Sequence, residues 1–100
     1  MVHHVVMWRV DGSGAEGRES AVAEIASLLE SLPEQVPGIR GLEVGVNALP
    51  GDMAADVMVS VKLDEWNALR DYAVHPAHVR VAARIGALTV ERRSVDYELL

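Results

Sequence analysis

Apolar and polar residues alternate along four stretches of the chain, which predicts four β-strands. The first covers residues 3–10, where His4, Val6 and Trp8 share one face and Val5 and Met7 share the other. Because both faces carry apolar side chains, we expect this strand to be covered on two sides. Shorter alternating runs predict strands over residues 42–46 and 57–63, and a last strand starts at Thr89.

Helical spacing of apolar residues fills the first interval between strands. Ser13 and Glu16 have the S-x-x-E spacing of a capping box, in which two side chains satisfy the free amides of a helix start. The helix is expected to run to about Leu32 and to end at Pro33. Its predicted buried positions are Val22, Ile25, Leu29 and Leu32.

A second helical stretch, with Asp64 as its predicted N-cap, is interrupted by Pro76. The proline ring pushes His75 out of helical geometry, whereas Pro76 itself suits the first turn of a new helix. In the first helix, Trp66, Leu69 and Ala73 are predicted to face inward, with Tyr72 at the edge of that face. In the second, the predicted buried stripe is His78, Val81, Ala82 and Ile85, so His78 is expected to point inward.

The order β-α-β-β-α-β predicts an α+β, ferredoxin-like fold for residues 1–100 as one domain: a four-stranded antiparallel sheet with helices on one face. The other sheet face would expose apolar side chains. A second copy packed sheet against sheet would bury them, which predicts a homodimeric α/β barrel with an interface of about 2,000 Å².

Composition excludes several classes of protein. Nine Lys and Arg against fifteen Asp and Glu give a net charge of -6, which disfavours a nucleic-acid partner. The chain has no cysteine, so disulfides and thiolate chemistry are excluded. No apolar stretch approaches the ~20 residues of a membrane span. We therefore expect a cytoplasmic protein without a membrane or nucleic-acid partner, and no motif calls for a cofactor.

The stretch from Asp71 to Val79 carries the candidate chemistry, because it combines Tyr72 with two of the four histidines, His75 and His78. Tyrosine and histidine both donate and accept protons, and histidine does so near neutral pH. This combination at a helix junction predicts a site for general acid–base chemistry.

With these residues in view, the chain resembles the stress-responsive α/β-barrel domain (Dabb) family. The resemblance rests on four segments, of which the D-Y-x-x-H-P-x-H run is the most specific. They are His4-Val5-Val6, Pro37-Gly38-Ile39, the run from Asp71 to His78, and Val95-Asp96-Tyr97-Glu98. Because these segments span nearly the whole chain in the family's order, the resemblance also implies the dimeric barrel.

The family includes a plant polyketide cyclase that closes its substrate by aldol condensation, and the resemblance implies site residues here. Tyr72 and His78 fall on its acid–base pair, with His78 as the base and Tyr72 as the donor to the carbonyl. His4 and His75 fall on pocket histidines. Asp96 falls on the carboxylate that orients the base, so the resemblance implies a hydrogen bond from His78 to Asp96.

Two residues depart from an alkyl-accepting pocket. Arg92 lies in phase with Asp96 on the last strand, and Trp8 lies in phase with His4 on the first. They would make the pocket more polar and more crowded, so a long-tailed polyketide fits poorly. We expect a smaller oxo substrate, with Arg92 available for a carboxylate. Cyclase- or lyase-type chemistry is the catalytic hypothesis.

Each residue also has a structural interpretation. His78 and Tyr72 could belong to the core, His75 could cap a helix or contact a partner, and His3 could be a surface or dimer contact. A metal site built from His4, His75, His78 and Asp96 is a further alternative. The non-catalytic hypothesis is a small-molecule-binding or structural stress-response dimer. A structural dimer should fill the pocket with Trp8, Val22 and Leu29, whereas a catalyst needs a cavity lined by Tyr72 and His78.

Overall fold

The computed structural model describes residues 1–13 and 17–99. The strands are β1 (Val2–Val10), β2 (Gly41–Val46), β3 (Val57–Leu63) and β4 (Thr89–Glu98). The helices are α1 (Gly17–Glu30), α2 (Leu32–Gln35), α3 (Trp66–Val74) and α4 (Pro76–Leu88). All four predicted strands are present, and α2 was not predicted.

One antiparallel sheet holds the strands in the order β2-β3-β1-β4. This is the predicted ferredoxin-like fold, with β1 and β3 in the centre. Even-numbered residues of β1 and odd-numbered residues of β3 face the helices. Successive side chains of a strand point to opposite faces, so one buried residue fixes the face of all the others. Val6 and Val59 sit opposite each other there, and both are buried.

The predicted stripe of the first helix is confirmed, because Val22, Ile25, Leu29 and Leu32 are all buried. The predicted end of that helix is wrong: α1 ends at Glu30, and Pro33 lies in the first turn of the separate helix α2. A proline lacks the N–H for an interior helical bond, so it breaks the first helix and opens the next. Of the predicted capping box, Glu16 lies outside the described residues.

The second helical stretch breaks at Pro76 as predicted, but its start and its inward face differ. Asp64 is not the N-cap; it forms an ion pair with Arg40, and Glu65 takes the cap position. Trp66 and Ala73 are exposed, and the buried residue of α3 is Tyr72. The aromatic ring predicted at the edge is therefore at the centre of the inward face.

The buried face of helix α4 differs from the predicted one at a single alanine. Val81 and Ile85 are buried as predicted, whereas the third buried residue is Ala77 rather than Ala82. His78 is half-buried. A space remains between helices α3 and α4 and the adjoining strands β1 and β4.

The second face of β1 is not covered within this chain. Met7 and Val95, on neighbouring strands of that face, are both exposed, and His3 beside them is 9% exposed. We expected β1 to be covered on both faces. Within this chain, only the face toward the helices is covered. Among residues 1–13 and 17–99, no helix is long and apolar enough to cross a membrane.

Candidate active site

A cavity of about 340 Å³ lies between α3, α4 and the strands β1 and β4, and it opens to solvent. Of the predicted site residues, Tyr72, His78, His4, Trp8 and Arg92 line it. Trp8 and Leu29 form parts of its wall and leave the space open. The filled pocket expected of a purely structural dimer is therefore not found.

The helix break at Pro76 sets the position of His78. In a continuous helix, the Ala77 N–H would donate to the Ala73 carbonyl. Here that N–H donates instead to Nδ1 of His75, at 3.1 Å. The Ala73 carbonyl is thereby left to accept from Nδ1 of His78, also at 3.1 Å.

This bond fixes the tautomer of His78. A carbonyl only accepts, so in neutral His78 the proton lies on Nδ1 and Nε2 carries the lone pair. Nε2 has no hydrogen-bond partner among the described residues. A histidine held in this way is ready to take a proton from a bound molecule.

The expected hydrogen bond from His78 to Asp96 is wrong. Asp96 lies directly opposite His4 in the pairing of β1 with β4, and its carboxylate accepts from Nδ1 of His4. Asp96 itself does not line the cavity. The carboxylate therefore orients the histidine on the sheet, and the helix histidine is oriented by a backbone carbonyl.

Three of the aromatic side chains of the site lie together, with Tyr72 between His78 and His4. The Tyr72 ring lies 4.3 Å from that of His78 and 5.8 Å from that of His4, measured between centroids. Tyr72 is 2% exposed, and its hydroxyl makes no hydrogen bond to the described residues. This phenol is thus free to donate to a ligand in the cavity.

Burial shifts the pKa of both Tyr72 and His78. It raises the pKa of Tyr72 to about 12, although the charge of Arg92 acts in the opposite direction. Burial also lowers the pKa of His78 below its ordinary value; the bond to Ala73 opposes this, and electrostatic interactions with His4, Arg92 and His75 add to it. At neutral pH the site therefore holds a protonated phenol and a neutral imidazole.

His75 caps α4 by accepting from the Ala77 N–H, and it does not line the cavity. This is the contact that the capping interpretation expects. Nearby, Arg92 lies opposite Trp8 in the sheet and has no ion-pair partner among the described residues.

Sequence reasoning missed two features of the site. One is the Ala73 carbonyl, which could have been found by asking where its hydrogen bond goes once Pro76 breaks the helix. The other is Gly86 of α4, which lines the cavity and where an added Cβ would meet open space. The residues described form no cluster of three or more His, Asp or Glu side chains suited to a metal ion, so the metal alternative gains no support.

The sheet order, the helices on one face and the lined cavity define a small ferredoxin-like α/β-barrel protein. The model of the stress responsive A/B barrel domain matches residues 2–99. The chain belongs to this family, known as Dabb.

Solved structures of similar fold cover nearly the full chain. A dimeric protein of unknown function from Bacteroides fragilis is 27% identical, with a TM-score of 0.87 over 98% of this chain and 95% of that one. A dimeric ferredoxin-like protein of unknown function from Jannaschia is 25% identical, with a TM-score of 0.78 over 98% of each chain. The hydroxynitrile lyase of Passiflora edulis shares the fold at 12% identity, with a TM-score of 0.82 over 96% of this chain and 90% of that one. No protein of curated function matches the sequence.

Proposed function

We propose that this protein is a homodimeric acid–base catalyst of cyclase or lyase type that acts on a small oxo substrate. His78 removes a proton from the carbon next to a carbonyl. The electron pair of the broken C–H bond moves onto the carbonyl oxygen, which accepts a hydrogen bond from Tyr72. The resulting enolate carbon then attacks the carbon of a second carbonyl, whose oxygen takes the proton back from Nε2 of His78. The same steps in reverse cleave a carbon–carbon bond.

The observation that carries this proposal is the contact between the Tyr72 and His78 rings inside an open cavity. The hydroxyl of Tyr72 and Nε2 of His78 have no hydrogen-bond partner among the described residues. His78 is half-buried, and a histidine that served only to stabilise the core would be expected to have both ring nitrogens paired within the protein. The likeness in fold to a hydroxynitrile lyase is consistent with lyase chemistry on this scaffold.

Deuterium exchange tests the first chemical step. Methyl acetoacetate in D₂O is followed by NMR, and the wild-type protein should accelerate exchange at the carbon between the carbonyls beyond the buffer rate. His78→Ala should reduce the acceleration about 10²- to 10⁴-fold. His3→Ala is the matched control, because His3 also contacts a tyrosine ring, Tyr97 at 5.1 Å, but on the opposite sheet face.

The outcomes separate the catalytic from the non-catalytic hypothesis. Exchange that depends on His78 and not on His3 supports the catalyst. Saturable binding of the ester without any acceleration would identify a small-molecule-binding protein instead. Acceleration that survives His78→Ala would remove His78 from the proposed mechanism.

The dimer is supported by the apolar residues of the open sheet face and by the dimeric relatives of similar length. That face carries Val5, Met7, Met58, Val95 and Tyr97. A second copy of the same chain would remove them from water, and each 100 Å² of apolar area buried contributes about 2.5 kcal/mol. The symmetry of a two-fold dimer places the same face on both sides of the interface.

A charge on this face tests the dimer. Val95→Lys places an ammonium group on the open face, and sedimentation should show a monomer. Val79→Lys is the control, because Val79 lies on α4 and both valines are 52% exposed. A monomeric wild-type protein, or a Val95→Lys protein that remains a dimer, would contradict sheet-to-sheet pairing.

A further inference from the structure

We infer that Arg92 is the anchor for a carboxylate, so that the substrate class is a small oxo acid. This inference rests on the proposed function for the position of the reacting carbonyl. Among the described residues, the Arg92 side chain forms no ion pair and no hydrogen bond.

Arg92 differs from its arginine neighbours in being unpaired. Arg9 and Arg93 lie on one face of the sheet, and both contact the Glu91 carboxylate there, at 3.2 and 3.3 Å. Arg92 points to the opposite face, where it forms no ion pair with any described carboxylate. An unpaired guanidinium at the rim of a cavity is a ready binding group for an anion.

The cavity contains no other cation of the same kind. Among the described residues that line it, Arg92 is the one Lys or Arg side chain. Glu91 also lines the cavity, but its two oxygens face Arg9 and Arg93, so its negative charge is largely compensated. Asp96, the next carboxylate on the strand in this phase, is bonded to His4.

The chemistry of a single guanidinium selects among anions. Its planar pair of N–H groups matches a carboxylate in a two-point contact. A dianionic phosphate is usually held by more than one cation, and among the described residues of this lining Arg92 is the one Lys or Arg side chain. The volume of about 340 Å³ lies at the small end of ligand pockets, which limits the rest of the molecule.

The placement of the groups gives the substrate an orientation. Arg92, Tyr72 and His78 all line this one cavity, so a single bound molecule can contact all three. A carboxylate at Arg92 leaves the ketone oxygen for the Tyr72 hydroxyl and the carbon between them for Nε2 of His78. A β-oxo carboxylate has these groups in this order.

Two matched ligands test the anchor. Acetoacetate carries the carboxylate, and methyl acetoacetate has the same skeleton without the charge. Binding is followed by the fluorescence of Trp8, which lines the cavity, in a Trp66→Phe background that removes the other tryptophan. In this background acetoacetate should bind more tightly than its ester.

Substitution of the arginine should remove that preference. Arg92→Leu should raise the Kd of acetoacetate about 10- to 100-fold and leave that of the ester within about twofold. Arg93→Leu is the matched control, because it makes the same change one residue along β4 on the opposite face. Arg92→Lys should restore part of the affinity, since it keeps the charge and loses the planar fork.

An independent readout is the titration of His78 by NMR. A carboxylate bound at Arg92 offsets the positive charge that lowers the pKa of His78, so that pKa should rise in the acetoacetate complex and not in the ester complex. Arg92→Leu should abolish the difference between the two complexes.

The results distinguish this inference from the proposed function. Equal effects of Arg92→Leu on both ligands, or no saturable binding of acetoacetate below ~10 mM, would overturn the anchor. Exchange into acetoacetate that Arg92→Leu catalyses as well as wild type would overturn it while leaving the catalyst intact. Arg92-dependent binding with no exchange would retain the anchor and refute the catalyst.

Discussion

Tyr72→Phe separates the chemical role of Tyr72 from its structural role. The ring is 2% exposed, and the hydroxyl has no hydrogen-bond partner among the described residues. Removing the oxygen therefore leaves no buried group unsatisfied, so the free energy of unfolding at pH 7 should stay within about 0.5 kcal/mol of wild type. Tyr72→Ala removes the ring as well and should cost about 3–5 kcal/mol.

The high pKa of Tyr72 gives the same variant a signature in alkali. Burial raises that pKa to about 12, whereas a tyrosine in the unfolded chain titrates near 10. Below pH 10 both states keep the proton. Between pH 10 and 12 the unfolded state loses it and the folded state does not, so wild type loses stability as the pH rises. At pH 11 this loss should be on the order of 1 kcal/mol, and Tyr72→Phe should not show it.

Urea denaturation at pH 7 and pH 11 measures the stability, and deuterium exchange into methyl acetoacetate measures the chemistry. We expect exchange by Tyr72→Phe to fall about 10²- to 10⁴-fold at unchanged stability. Tyr97→Phe is the control, because Tyr97 contacts His3 on the opposite face and should keep full activity. Wild-type exchange by Tyr72→Phe would exclude the phenol as donor, and a stability as low as that of Tyr72→Ala would show that the hydroxyl is structural.

Three further predictions concern the groups around the site. Because burial lowers the pKa of His78, the loss of exchange in acid should have its midpoint below 6.5, the ordinary value for histidine; a midpoint at or above 6.5 would contradict a base kept neutral by burial. His75→Ala should destabilise the protein by about 1 kcal/mol by uncapping Ala77 and should slow exchange at least about tenfold, whereas His75→Asn, which restores a capping acceptor, should recover both; equal exchange by all three proteins would separate His75 from the site. Asp56→Asn should cost about 1–3 kcal/mol in urea denaturation, because Asp56 is 6% exposed and accepts a backbone N–H, while Asp64→Asn at an exposed ion pair should cost less than about 1 kcal/mol; similar costs would show that burial of Asp56 has no energetic weight.

Local pattern was sufficient to predict the strands, the break at Pro76 and the faces of β4. The side-chain period of a strand is two, so Arg92 and Asp96 had to share a face, as they do. The same reasoning failed for helix α3, where Trp66 and Ala73 were expected inside. Helix α3 has few apolar residues, so more than one of its faces could have been assigned to the interior. In the structure, the face that carries Tyr72 is the buried one.

The pairing of Asp96 could not be predicted from spacing within either strand. Its partner depends on the register of β1 against β4, which joins residues 92 positions apart in sequence. A shift of two residues in that register would keep every side chain on its face and still move Asp96 away from His4. The family resemblance implied that these residues lie near one another, and only the register shows which side chain Asp96 contacts.

This register has a consequence for the base. A carboxylate bonded to His78 would favour the imidazolium and raise the pKa of the ring, whereas the Ala73 carbonyl orients the ring without adding a full negative charge. Placing Asp96 on His4 therefore lets His78 keep the low pKa that burial gives it. The Pro76 break, which frees the Ala73 carbonyl, and the β1–β4 register, which directs Asp96 to the other ring, together allow one imidazole to be held in a single tautomer and still remain neutral.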